Sequence, residues 1–294
     1  MLPIKLLPAV LIPVLLAGSL ASATSCVTKA QFTKNIGAVV TILPQAEFVK
    51  SVGGEKIEST VMVPSGANPH TYEPTASQMT AVSKAKIYAK VGSGIEFELV
   101  WLDKLIAVNK DMLMVDCSRG VTFLETADTN QHAATDPHIW MSPSNARIMV
   151  RNICDGLIQA DPDNRAYYQQ NRDTYLQKLA QLDQDIKSGL SGVTNRTFMT
   201  YHPAFGYFAR DYDLTMLPIA AEGKEPTPAG LVQLIEQARE HNVKVVFASP
   251  QFNPESAEVI AGSIGGKVVY IDPLAGDYMA NLRSLLNELV QAME

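Results

Sequence analysis

Hydrophobic positions along the chain alternate between two periods. Short apolar runs at residues 38–43, 57–63, 87–91 and 112–116 read as strands, while residues 75–86 and 95–107 between them carry apolar side chains at helical spacing. Pro44 opens a further helix directly after the first strand, at a position where a missing N–H costs nothing. Strand and helix in turn predict a parallel sheet covered by helices. The pattern then changes. From Asp161-Pro162 to about Leu190 there is one helical stretch, with Tyr168, Tyr175, Leu179, Leu182 and Ile186 on a single face; at 1.5 Å per residue it extends about 40 Å, the width of a domain. Afterwards the alternation resumes, with strands at 198–201, 214–219, 243–248 and 268–271, helices at 229–241 and 254–264, and a final helix through Leu289. The expected fold class is α/β: two similar parallel-sheet lobes joined by one long connector helix, with a ligand cleft between them. The expected division is residues 1–26 as signal and lipid-anchor segment, 27–160 as the N-terminal lobe, 161–191 as the connector and 192–294 as the C-terminal lobe. Residues 125–137 are polar and read as a mobile surface loop.

The first residues carry Lys5, an apolar run at 6–20 broken by Pro8 and Pro13, and then Ala21-Ser22-Ala23. This is the pattern of a secretory signal with a small-residue cleavage site; an uncleaved anchor is the alternative. Cys26 follows at once, a candidate for lipidation, although Ala23-Thr24-Ser25 lacks the branched apolar residue that bacterial lipoprotein signals favour three positions before the cysteine. The chain is thus expected outside the cytoplasm, periplasmic or on the cell surface. A net charge of −6 opposes a nucleic-acid partner, which selects for clustered Lys and Arg. Cys117 and Cys154 are expected as two buried thiols rather than a disulfide framework.

Three of the five histidines stand beside prolines at strand or loop ends, in Asn68-Pro69-His70, Asp136-Pro137-His138 and Tyr201-His202-Pro203, and Asp272 stands likewise in Ile271-Asp272-Pro273. Proline fixes its own backbone and biases the residue before it toward extended conformations, which suits a ligand held in one orientation. Ligand groups in open α/β sheets collect at the carboxyl ends of strands. Two of the four potential metal ligands come from each half, so a site built from them lies in the cleft. Each has a plainer reading: His70 capping the helix near Pro74, His138 packed against Trp140, Asp272 capping the last helix. His132 and His241 read as surface residues. Neither a paired-cysteine nor an H-E-x-x-H motif is present, and the chain has no phosphate loop or G-x-S-x-G turn.

Four segments in order, Gly66-Ala67-Asn68-Pro69-His70-Thr71-Tyr72-Glu73-Pro74, Asp136-Pro137-His138-Ile139-Trp140, His202-Pro203-Ala204-Phe205-Gly206-Tyr207-Phe208 and Ile271-Asp272-Pro273-Leu274, resemble the signature segments of the zinc and manganese solute-binding proteins (cluster A-I). Those proteins capture metal for ATP-binding cassette importers. The resemblance runs from about Ala38 to Leu289. It implies one metal ion held in the cleft by His70, His138, His202 and Asp272, a membrane permease as partner, a monomeric carrier and no catalytic step. Imidazoles with one carboxylate suit four-coordinate Zn²⁺ at about 2.0–2.2 Å, whereas Mn²⁺ favours more oxygen. Manganese-type relatives often carry glutamate where this chain has His202, so zinc is the expected cargo. Three departures stand against the pattern: Asn68 replaces the usual aspartate, the 125–137 loop offers only His132, and Ser249-Pro250 replaces a frequent Glu-Pro. The alternatives are a Mn²⁺ or Fe²⁺ carrier of the same family, a zinc hydrolase with Glu73 or Glu225 as base, and a metal-stabilised adhesin.

Overall fold

The computed structural model describes residues 35–126, 134–220 and 225–293. The signal segment, Cys26 and His132 lie outside them. The first lobe runs β1 (Ile36–Val40), α1 (Leu43–Gly53), β2 (Ile57–Val61), α2 (Ala76–Lys84), β3 (Ile87–Lys90), α3 (Glu96–Val108) and β4 (Leu113–Asp116). Its strands pair in parallel in the order β2-β1-β3-β4. Next come β5 (Glu125–Thr126) and β6 (Ala134–Thr135), then α4 (Pro143–Ala160) and α5 (Arg165–Gly189). The second lobe runs β7 (Thr197–Thr200), α6 (Gly206–Asp211), β8 (Thr215–Pro218), α7 (Pro228–Glu240), β9 (Val245–Ala248), α8 (Glu255–Ile264) and β10 (Lys267–Tyr270), and α9 (Tyr278–Met293) ends the chain. The second sheet is also parallel, in the order β10-β9-β7-β8.

Numbered from its own first strand, each sheet has the order 2-1-3-4. In such a sheet the chain direction of winding reverses between strands 1 and 3, and the loops leaving their carboxyl ends diverge to open a crevice. The two crevices are therefore formed by the loops after β1 and β3 in one lobe and after β7 and β9 in the other. The inner strands are apolar on both faces because helices cover both: Val39, Val40, Val246 and Phe247 are buried.

The expected strands and helices are present with shifts of a few residues at their ends. Four features differ from expectation, the first being the short helix α6 between β7 and β8, which the sequence pattern did not assign. Residues 143–160, not assigned as an element from sequence, form α4, which begins at the Ser142 cap and packs along α5. The connector helix itself starts at Arg165, after a short 3-10 turn at Pro162–Asn164. The 125–137 segment is not irregular throughout, since β5 and β6 pair antiparallel at its ends.

The face of α5 formed by Tyr168, Tyr175, Leu179, Leu182 and Ile186 is buried, as its spacing predicts. The helix α9 returns along it; an added Cβ on Gly189 would sit 2.9 Å from Leu286 Cδ1, so only glycine admits this approach without a shift. Glu47 on α1 joins the lobes. Its carboxylate accepts from Tyr175 Oη on α5 at 2.5 Å and from the Tyr278 amide on α9 at 2.6 Å. Burial raises this carboxyl above its ordinary range, and the two hydrogen bonds only partly oppose that. Cys117 and Cys154 are unpaired and buried. Burial raises both thiols, that of Cys154 to about 11, which keeps them protonated and inert.

Candidate metal centre

His202 leaves the carboxyl end of β7. The Thr200 hydroxyl donates to the His202 carbonyl at 2.9 Å, and the Ala204 amide donates to the same oxygen, so the histidine sits at the crest of a closed turn. Its ring stacks on Phe252, from the loop after β9, with centroids 4.6 Å apart and planes inclined at 25°. Both residues come from the crevice of the second sheet.

His138 follows β6. Asp136 Oδ1 accepts from the His138 amide at 2.9 Å and pairs with His138 Nδ1 at 2.8 Å. The segment is braced on both sides: Tyr207 Oη donates to the Asp136 carbonyl at 2.8 Å, and Ser93 Oγ donates to the Pro137 carbonyl at 2.5 Å. Space for the Asp136 carboxylate exists because residue 206 is glycine; a Cβ there would stand 2.4 Å from Asp136 Oδ2.

His70 lies in the loop between β2 and α2. Asn68 Oδ1 accepts from the His70 amide at 2.9 Å, and His70 Nδ1 lies 3.1 Å from Glu96 Oε1 at the start of α3. Asp272 follows β10; its Oδ1 accepts from Gln251 Nε2 at 2.7 Å and from the Leu274 amide at 2.8 Å.

The fold brings the three imidazoles together. His138 Nε2 and His202 Nε2 are 3.0 Å apart, and the His70 ring centroid lies 5.5 Å from that of His202. All three line one narrow cleft together with Glu96, Trp140, Gln251, Phe252, Pro273 and Leu274. Asp272 is not among the lining residues, although its neighbours Pro273 and Leu274 are. With His138 Nδ1–H given to Asp136, its Nε2 is an acceptor, so one proton on His202 Nε2 bridges the pair. Two nitrogens on a tetrahedral zinc at about 2.0–2.1 Å stand about 3.3 Å apart, so a metal ion between them, with the His202 proton moved from Nε2 to Nδ1, parts the nitrogens by only about 0.3 Å. As they stand, no three His, Cys, Asp or Glu side chains among the described residues are grouped so that they could hold a metal ion.

Electrostatics keep His202 neutral. Burial, with His138 and His70 adding to it, lowers its pKa to about 2, so the ring is neutral at any ordinary pH. Its Nδ1 is buried without a hydrogen-bond partner among the described residues. Burial raises the Glu96 carboxyl, but its hydrogen bond to and the charge of His70 outweigh that and hold it below its ordinary range.

Thr75, not His70, caps α2, accepting from the Gln78 amide. Asp277, not Asp272, accepts from the Ala280 amide at the start of α9. His138 does meet the Trp140 ring, 5.3 Å between centroids, so this residue serves both packing and the cleft. Glu73 and Glu225 do not line the cleft, and Glu225 is held by Tyr201 and Ser256. Sequence reasoning did not assign Glu96, Asp136, Gln251 or Phe252. Asp136 had a signal, the parallel between Asn68-Pro69-His70 and Asp136-Pro137-His138; Glu96 had none.

The zinc-uptake complex component A periplasmic family matches residues 38–292. The chain belongs to this family. It is 30% identical over 250 residues to the high-affinity zinc uptake system protein ZnuA of Bacillus subtilis, covering 81% of this chain and 78% of that one. A crystal structure of ZnuA superposes with a TM-score of 0.85 at 38% identity, covering 89% of this chain and all of the other. A ZnuA deletion mutant with zinc bound gives 0.84 at 39% identity, covering 89% of this chain and 99% of the other. The family's members are metal-binding components of uptake systems rather than enzymes, and the two-lobe α/β fold and cleft of this chain are those of the family. The family is named for zinc uptake, and the Bacillus subtilis relative for a high-affinity zinc uptake system.

Proposed function

We propose that the chain captures Zn²⁺ between His70, His138 and His202, with Asp272 as the carboxylate donor through Oδ2, and passes it to the permease as a monomer tethered to the membrane through Cys26. The observation that carries this reading is the approach of two ring nitrogens, His138 Nε2 and His202 Nε2, to 3.0 Å inside a cleft that also holds His70. Three nitrogens and one oxygen suit zinc, and the cleft is apolar enough to strengthen each bond.

The lobes hold each other firmly. Trp140 Nε1 donates to the Pro273 carbonyl at 2.8 Å, Tyr207 donates across to Asp136, and Glu47 joins α1, α5 and α9. A continuous helix and these bonds oppose a wide hinge motion. Capture therefore needs side-chain and loop movement, and release proceeds through the loop carrying His70, whose side chain is 31% exposed against 12% for His138. Titration of the metal-stripped protein with Zn²⁺, wild type against His138→Ala and His202→Ala, tests the ligand set; a tight site in the wild type and a loss of orders of magnitude in each variant is expected. Unchanged affinity in either variant removes that residue from the site.

A further inference from the structure

The two Pro-His segments are built alike at the backbone and differently at the ring. In each, the side-chain oxygen of the residue two before the histidine accepts from the histidine amide, Asn68 Oδ1 to His70 at 2.9 Å and Asp136 Oδ1 to His138 at 2.9 Å. Asp136 also takes His138 Nδ1 at 2.8 Å. An asparagine oxygen can accept one N–H in the same way, but it brings no charge. His70 instead finds its carboxylate on another element: Glu96 Oε1, in the first turn of α3, lies 3.1 Å from His70 Nδ1.

We infer that Glu96 is the positioning residue for His70, supplying from α3 the carboxylate that position 68 lacks. This inference rests on the zinc site proposed above. A carboxylate on Nδ1 fixes the tautomer with Nδ1 protonated, presents bare Nε2 to the metal and raises the basicity of the ring. Glu96 is well placed for this because it lines the same cleft as the three histidines. It also stands at a helix N-terminus, where a negative charge is stabilised. His70 is the most exposed of the three imidazoles and has the least packing to orient it, so its ring depends most on a polar partner. The carboxylates of Glu96 and Asp136 then flank the three imidazoles, matching a divalent cation.

The test is Zn²⁺ affinity, measured by competition with a chromophoric chelator, for Glu96→Gln, for Asn68→Asp combined with Glu96→Gln, and for His138→Ala as a control. Loss of such a partner is expected to weaken zinc binding about 10- to 100-fold, and the aspartate at position 68 should restore most of it. In ¹⁵N NMR of the zinc-loaded protein, His70 should show a protonated Nδ1 and a metal-bound Nε2. If His138→Ala weakens binding but Glu96→Gln does not, Glu96 has no such role. Weakening by Glu96→Gln without rescue by Asn68→Asp, or metal on His70 Nδ1, also overturns the assignment. Full affinity in His138→Ala would instead overturn the site itself.

Discussion

His138 and His202, separated by 64 residues and carried by different lobes, point their Nε2 atoms at each other across 3.0 Å. Asp136 fixes the outer nitrogen of one ring and Phe252 stacks against the other, so neither imidazole can turn away without losing a partner. A proton holds the pair together where a metal ion of similar reach fits with a small displacement. Capture therefore needs little movement of the rings, although His202 has to shift its proton from Nε2 to the buried Nδ1.

Acid should weaken the metal-free fold through His202. Its pKa is about 2 in the folded protein against an ordinary 6.5. As pH falls through 6.5 the unfolded chain takes up a proton here and the folded chain does not, so stability falls with falling pH across the window from 6.5 down to about 2; above it this group has no effect. Urea midpoints of the metal-stripped protein at about pH 7 and about pH 5 measure this. His202→Gln should lose less stability between the two than the wild type; an equal loss would mean that other groups set the acid sensitivity.

Gly206→Ala should weaken zinc binding while leaving the fold in place. Its Cβ would lie 2.4 Å from Asp136 Oδ2, and the end of a flexible side chain can move. That movement takes the carboxylate off His138 Nδ1, at an expected cost of about tenfold or more in affinity. Calorimetric titration of the variant, beside its circular dichroism spectrum, checks both halves of the statement.

Trp140→Phe should loosen the joint between the lobes. It removes the bond to the Pro273 carbonyl and leaves that oxygen without its donor, a cost of about 1–3 kcal/mol. Equilibrium urea unfolding gives the loss directly. Zinc should also leave the variant faster, because Pro273 belongs to the cleft wall; stopped-flow release into excess chelator reads that rate.

The sheets were legible because strands buried on both faces are continuous apolar runs, and His202 was legible because a strand ends in His-Pro. The helix α4 showed only as a helix face around Cys154, and its full extent was hidden for a physical reason. Part of its buried face is polar: Asn152 Nδ2 donates to the carbonyls of Cys117 and Arg119, and Asn145 is buried in the first turn, so the apolar period is interrupted although its Ser142-Pro143 start is present. The ribbon of β5 and β6 is too short to show any period. Asp136 belonged to a motif whose histidine drew the attention. Glu96 meets His70 only because β3 lies beside β1 in the sheet and carries α3 to the cleft, a consequence of strand order that no local spacing encodes.

The central claim is that three histidines from two lobes hold one zinc ion. X-ray absorption at the zinc edge, on the metal-stripped protein reloaded with a single equivalent of Zn²⁺, tests it most directly. The account predicts a four-coordinate zinc with three imidazole nitrogens and one oxygen, at about 2.0–2.2 Å, and one imidazole fewer in each of His70→Ala, His138→Ala and His202→Ala. A wild-type spectrum with fewer than three imidazoles, or one that does not change in these variants, would contradict it.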